Sequence, residues 1–192
     1  MIGTTCLFAL SVVAQAPDSS RIVRVLTYNI LHGKTLKGDF DLDLIASVIK
    51  STKPDLVALQ EVDYQTNRSK KYDLVTELGW RTKMSPLFAR AMAYDGGEYG
   101  EAVLSSYTFV ASENIPLPHL PDSEPRAALV TRVKTKKGNT LQFVGTHLDH
   151  LEKDTDRIMQ AEAIVKALGD TEYPTLIVGD LNDGPDSKTL QI

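Results

Sequence analysis

The stretch L-I-V-G-D-L-N-D, at residues 176–183, joins a strand-like apolar run directly to a carboxylate and an amide. We predict a strand over residues 175–181, because the run is apolar, short and bounded by turn-forming residues. Side chains alternate between the two faces of a strand, so Asp180 and Asn182 are expected to share the face that carries Leu176. The sequence therefore predicts a buried strand that ends on polar groups.

Similar strand signals recur along the chain, and they alternate with a few helical patterns. The first predicted helix follows Asp41 as its N-cap and ends before Pro54, and a short third one covers residues 72–78 and is closed by Gly79. The further predicted strands cover residues 22–30, 55–62, 81–89, 101–105, 127–134 and 140–148.

The second predicted helix begins near Asp154 and stops at Gly169. Its inward face is predicted to be apolar and to consist of Ile158, Ala161, Ile164, Val165 and Leu168. Strands outnumber helices and most connections are short, which favours a mixed sheet arrangement with helices on its outer faces. No repeat or change in composition divides the chain, so we predict one α+β domain over residues 21–192.

Residues 1–16 show the pattern of an export signal. An apolar run at residues 6–13 is followed by A-Q-A, which predicts a signal peptide over residues 1–16 and a secreted or periplasmic protein. The run lacks a preceding Lys or Arg, so a frayed or membrane-proximal N-terminus stays open as an alternative. The run is too short to span a bilayer, so no transmembrane helix is expected in the mature chain.

The cysteine content and the net charge restrict the kinds of site and partner that we expect. The only cysteine, Cys6, lies in the predicted signal peptide, so neither an internal disulfide nor a cysteine-based zinc site can form. The formal net charge of −4 disfavours nucleic acid as a partner but does not exclude it.

Polar side chains capable of binding metal or phosphate end four of the predicted strands. If these strands are neighbours in a sheet, their ends converge on one edge, and Gly145 leaves space beside the imidazole of His147 for another backbone or a ligand. The residues at these ends are Asn29, Gln60, Glu61, His147, Asp149, Asp180 and Asn182.

Five short motifs carry a resemblance to a known family. They are T-Y-N-I at 27–30, L-Q-E-V at 59–62, G-E-A-V-L-S at 100–105, G-T-H-L at 145–148 and G-D-L-N at 179–182. In this order and spacing they resemble the motifs of the endonuclease/exonuclease/phosphatase family, the DNase I-like phosphoesterases. The resemblance implies a two-layer β-sandwich flanked by helices, and hydrolysis of a phosphoester with Mg²⁺ or Mn²⁺ as cofactor.

The resemblance also implies roles for individual residues. Glu61 would be the principal metal ligand, and Asn29 would support the metal or hold the catalytic Asp. His147 would donate to a non-bridging phosphate oxygen, Asp180 would orient or deprotonate the attacking water, and Asn182 would bind the phosphate. Oxygen ligands of this kind suit a hard cation.

Arg126, in E-P-R-A-A-L, resembles a position where family members carry an arginine near the site, and it is the predicted substrate-binding residue. The alternative is a surface arginine at the start of a strand. The family pattern continues beyond G-D-x-N to a closing S-D-H motif, whereas no histidine follows His150 here. We therefore expect a truncated, C-terminally incomplete domain.

These observations leave three functions open. The first is hydrolysis of a phosphodiester in a small or lipid-like substrate such as a lipid head group, which export and acidic charge favour. The second is a secreted DNA or RNA endonuclease. The third is a non-catalytic, inactive domain that only binds phosphate.

Overall fold

The computed structural model describes residues 22–169 and 171–192. The predicted signal peptide lies outside this part of the chain. Within it, the strands are β1 Val25–Asn29, β2 Leu56–Tyr64, β3 Ser85–Tyr94, β4 Gly97–Ser105, β5 Thr108–Pro116, β6 Ala127–Lys134, β7 Thr140–His147 and β8 Thr175–Asp180. The helices are α1 Leu42–Thr52, α2 Leu74–Thr82, α3 Thr155–Leu168 and α4 Lys188–Gln191, and a short 3-10 helix covers Leu31–Gly33. None of the described helices is long and apolar enough to cross a membrane.

The described strands form two sheets with the same mixed arrangement of parallel and antiparallel pairs. The first has the order β1-β2-β4-β3 and the second the order β5-β6-β7-β8. In each sheet one edge pair is parallel, β1 with β2 and β7 with β8, and the remaining pairs are antiparallel. A helix crosses over between the members of each parallel pair, as parallel neighbours require.

Strand β2 shows how the layers are held together. Leu56 and Ala58 point into the core between the two sheets, whereas Val57 and Leu59 point outward to the cluster that includes α1 and α2. On the other side, Ile164 of α3 packs on the outer face of the second sheet. Both faces of the central strands are therefore apolar. The predicted β-sandwich flanked by helices is confirmed.

The predicted first helix is confirmed, and its start is set by local chemistry. The side chain of Asp41 accepts a hydrogen bond from the Leu44 amide at 2.9 Å, which satisfies one of the free N–H groups of the first turn. Its buried stripe consists of the predicted Leu42, Ile45, Ala46 and Ile49.

The predicted boundary between the short helix and the next strand is wrong. Helix α2 runs through Gly79 as far as Thr82, and β3 begins only at Ser85. A Cβ at position 79 would lie 2.9 Å from the Met84 carbonyl oxygen and 3.1 Å from Pro86. The glycine therefore permits close packing of β3 on the helix instead of ending it.

Two further differences from the predicted structure concern side-chain exposure in β5 and α3. Strand β5 was not predicted, because it is an edge strand with mostly exposed residues and so has no apolar alternation. The predicted inward face of α3 is also partly wrong: Val165 is 47% exposed, and the buried side of the helix includes Asp156, Arg157 and Gln160 beside Ile164.

Candidate active site

The predicted polar strand ends meet where an edge strand of the first sheet contacts an edge strand of the second. Strands β1 and β8 are edge strands of different sheets that contact each other, and β1 and β2, like β7 and β8, run in the same direction. Their carboxyl ends border one cleft of about 350 Å³. All six predicted site residues line this cleft: Asn29, Glu61, Arg126, His147, Asp180 and Asn182.

Glu61 reaches the cleft because β2 contains a bulge. The register shifts between Leu59 and Val62, so that Gln60 and Glu61 oppose the single residue Glu101 of β4. Glu61 also adopts a φ of 56°, a left-handed conformation that is uncommon for a residue with a side chain. The bulge turns the carboxylate toward the strand ends, and backbone strain of this kind is typical of functional sites.

Asn29 holds two acidic residues of the cleft, Glu61 and Asp180, together. Its Nδ2 donates to Oε1 of Glu61 at 2.8 Å and to Oδ2 of Asp180 at 3.2 Å. Its Oδ1 accepts a hydrogen bond from the Leu31 amide at 3.1 Å, which determines the orientation of the side-chain amide. The amide thus places two carboxylates from different sheets on one side of the cleft.

His147 and Asp180 are direct partners in the parallel β7–β8 pair. A Cβ at Gly179 would lie 2.0 Å from the Thr146 carbonyl oxygen, so only glycine allows this approach next to Asp180. His147 Nε2 lies 3.8 Å from Asp180 Oδ2, which is too long for a direct hydrogen bond. The gap leaves the imidazole N–H and the carboxylate facing a common space.

The arginine behind His147 determines which ring nitrogen carries the proton. Arg126 Nη1 lies 3.1 Å from His147 Nδ1, and a guanidinium can only donate. Nδ1 therefore accepts, and the proton of the neutral ring is on Nε2, toward Asp180. Arg126 is 3% exposed, so the alternative of a surface arginine is wrong.

Burial and charge keep this imidazole neutral. Burial, followed by the positive charge of Arg126, lowers the pKa of His147 to about 4, although Asp180 and Glu61 act in the opposite direction. His147 is 4% exposed. It is therefore a neutral N–H donor over the physiological range of pH.

A further acid, Glu101, is buried next to these groups. Glu101 is fully buried, and neither of its carboxyl oxygens has a hydrogen-bond partner. Burial raises its pKa well above the ordinary value, and Arg126 opposes this only in part. Burial therefore favours the protonated, uncharged form of Glu101.

Three sequence expectations about neighbouring residues need correction. Asn182 lies beyond the end of β8 with a φ of 51°, so strand alternation does not position it; its Nδ2 donates to the Leu148 carbonyl instead. Asp149 is buried and accepts from the Leu151 amide outside the cleft. The space at Gly145 is taken by Ala58 of the other sheet, since a Cβ there would lie 3.2 Å from it.

One wall of the cleft was not found from the sequence. The β3–β4 hairpin supplies Met92, Tyr94 and Tyr99 to this wall. The Arg68 guanidinium pairs with both oxygens of Asp63 at 2.8 Å and lies 4.4 Å from the Tyr94 ring centroid. The sequence signal for this wall is an acidic residue and an arginine, Asp63 and Arg68, shortly after the Glu61 motif. The additional lining residues are Arg68, Met92, Tyr94, Tyr99, Glu124 and His150.

The donor set can be compared with the needs of a metal ion. Among the described residues, no cluster of three or more Asp, Glu, His or Cys could hold one. Oε2 of Glu61 lies 3.5 Å from His32 Nδ1 and accepts no hydrogen bond from the residues that the structure describes, so it can serve as an oxygen ligand. A single carboxylate suits Mg²⁺, which keeps several waters and also takes oxygen from substrate phosphate. The residues therefore fit a weakly held hard cation, with Glu61 as the charged ligand.

Comparisons with known proteins agree with this geometry. A family model described as Endonuclease/Exonuclease/phosphatase family matches residues 26–192. An endonuclease/exonuclease/phosphatase structure from Beutenbergia cavernae is 24% identical, with a TM-score of 0.71, and the match covers 87% of this chain and 49% of that one.

Two further solved structures are similar. The human Nocturnin catalytic domain with bound sulfate is 20% identical, with a TM-score of 0.66 and coverage of 88% and 67% of the two chains. D. rerio TDP2 complexed with a single-strand DNA product is also 20% identical, with a TM-score of 0.65 and coverage of 84% and 61%. The chain thus spans between 49% and 67% of the length of these three proteins.

Proposed function

The chain belongs to the endonuclease/exonuclease/phosphatase family, whose members are generally hydrolytic phosphoesterases, and we propose that it hydrolyses a phosphodiester in a small or lipid-like substrate. The observation that carries the proposal is the bridge made by Asn29, which holds the carboxylates of Glu61 and Asp180 opposite the N–H of His147. Carboxylates that can hold a cation and orient a water, facing an N–H donor, match the attack of water on a phosphate.

Asp180 is the proposed residue that orients and deprotonates this water. Its Oδ2 accepts from Asn29 and its Oδ1 accepts from the Asn182 amide at 3.3 Å, so the carboxylate is fixed in place. The water oxygen attacks phosphorus, its proton passes to Asp180, and the bond from phosphorus to the leaving oxygen breaks.

His147 and Asn182 are proposed to bind the phosphate. Nε2–H of His147 donates to a non-bridging oxygen, and the interaction strengthens as negative charge accumulates there. Arg126 acts from behind, because its guanidinium holds His147 by a hydrogen bond and adds positive charge.

Mg²⁺ or Mn²⁺ is the proposed cofactor, and Glu61 would hold it with support from Asn29. When bound, the cation neutralises charge on the phosphoryl oxygens. Removing the bridge at Asn29 would leave Glu61 and Asp180 without the shared donor that keeps both carboxylates close to the phosphate.

The substrate class is proposed from charge and from the predicted export. The net charge of −4 favours a small or lipid-like phosphodiester over chromosomal DNA. A secreted or periplasmic location remains part of the proposal. Single-stranded nucleic acid is the second candidate, because Arg68 and Tyr94 give the cleft a cationic and aromatic wall of the kind on which bases stack.

The test is a turnover panel with Mg²⁺ and with Mn²⁺ on sphingomyelin, phosphoinositides, abasic-site DNA and a chromogenic phosphodiester. We expect metal-dependent turnover that is lost in Asp180→Asn. Asp122→Asn is the matched control, since Asp122 is exposed and outside the cleft. Phosphate binding without turnover on any substrate would support the inactive phosphate-binding domain instead.

A further inference from the structure

His150 is a second imidazole in the cleft, three residues after His147. We infer that it is a second phosphate-binding residue, which donates its Nε2–H to a non-bridging oxygen of the substrate phosphate beside His147. This inference rests on the proposed phosphoesterase function, and it extends the phosphate contacts beyond the residues that the family motifs contain.

One guanidinium orients both rings. Arg126 Nη1 lies 3.1 Å from Nδ1 of His147, and Nη2 lies 3.3 Å from Nδ1 of His150. Because arginine only donates, both Nδ1 atoms accept and both rings carry their exchangeable proton on Nε2. Nε2–H is then the donor of each ring, and both residues line the same cleft.

His150 is exposed, but hydrogen bonds hold the residues on either side of it. The Leu148 carbonyl accepts from Asn182 at 3.0 Å, and the Asp149 amide donates to Gln160 at 2.8 Å. The Leu151 amide donates to the Asp149 side chain at 2.9 Å. Both residues adjacent to His150 therefore have hydrogen-bond partners.

The polar inner face of α3 explains how this turn is held. Arg157 Nη1 donates to the carbonyls of both Asp149 and Leu151, on either side of His150. Gln160 is completely buried and makes its contact with the same turn. Apolar residues at these two positions could not make these hydrogen bonds to the turn. The buried polar groups thus position His150 in advance of substrate binding.

Inorganic phosphate in magnesium-containing buffer at pH 7.5 is the probe, and its dissociation constant is measured by calorimetric titration. His150→Phe keeps a planar ring but removes the donor, and we expect about five- to tenfold weaker binding, the effect of one lost hydrogen bond. His150→Gln retains an N–H donor and should recover part of the affinity. His119→Phe is the matched control, because His119 is an exposed loop residue outside the cleft.

A second readout reports the orientation of the rings without phosphate. Long-range nitrogen–proton NMR spectra should show the Nε2–H form for both His147 and His150, and Arg126→Leu should return His150 to a mixture of the two tautomers. The same spectra show whether each variant is folded. Equal phosphate affinity in the wild type and His150→Phe, or absence of phosphate binding by the wild type, would overturn the inference. If affinity depends on His150 while no phosphodiester is hydrolysed, the proposed function fails and the phosphate-binding role of His150 stands.

Discussion

Acidification should destabilise the fold through His147. The ring is neutral in the folded protein because its pKa is lowered from 6.5 to about 4, by burial first and by Arg126 second. The unfolded chain therefore binds more protons between these two values, and the unfolding free energy falls as the pH falls through this window. The stabilisation is complete above pH 6.5 and is lost progressively toward pH 4.

The size of the effect follows from the same two values. One pKa unit corresponds to about 1.36 kcal/mol, so lowering the pH from 7.5 to 4.5 should cost about 2.5 kcal/mol through this one residue. That is a large share of the roughly 5 to 15 kcal/mol that stabilises an ordinary domain. Carboxyl groups titrate in the same range, so the contribution of His147 has to be isolated by comparison with a variant.

The assay is urea unfolding of the wild type and His147→Gln at pH 7.5, 6.0 and 4.5, followed by circular dichroism. The variant has no imidazole to protonate, so the difference in stability between the two proteins should shift by about 2.5 kcal/mol in favour of the variant at pH 4.5. His119→Gln, in an exposed loop, should follow the wild type at each pH. A difference that stays constant within about 0.5 kcal/mol would refute the neutral, buried imidazole.

Three further predictions concern single residues. Glu101→Gln should stabilise the protein at neutral pH but not near pH 4. Because the pKa of Glu101 is raised in the folded protein, its contribution to the unfolding free energy is complete below the ordinary glutamate pKa and falls by up to about 1.4 kcal/mol per pH unit above it; urea unfolding of both proteins across this range measures the change. Glu61→Gln should weaken Mg²⁺ or Mn²⁺ binding in calorimetric titration, and equal affinity in both proteins would count against Glu61 as the charged ligand. Gly179→Ala should destabilise the fold by about 1 to 3 kcal/mol, because the new Cβ would lie 2.0 Å from the Thr146 carbonyl oxygen; an unchanged thermal midpoint would contradict this close approach.

Most of the predicted polar strand ends lie at one cleft, and local patterns of polarity were sufficient to predict this. Strand alternation around Leu59 and the apolar run before Asp180 identify strands that end on acidic groups, and a parallel arrangement places such ends at one edge. The N-cap at Asp41 likewise depends only on residues in the next turn. The sequence alone therefore determined the layered α+β fold, the first helix and six of the residues that line the cleft.

The tertiary structure decided how these groups are oriented and charged. The bulge that aims Glu61, the burial of Arg126 and the neutral state of His147 all result from residues distant in sequence, which single-sequence patterns do not report. The polar inner face of α3 departs from the apolar stripe because Arg157 has hydrogen-bond partners in the turn around His150. Patterns of polarity determine which side chains are buried or lie at strand ends, whereas hydrogen-bond partners and electrostatic environment exist only once the two sheets and α3 have packed together.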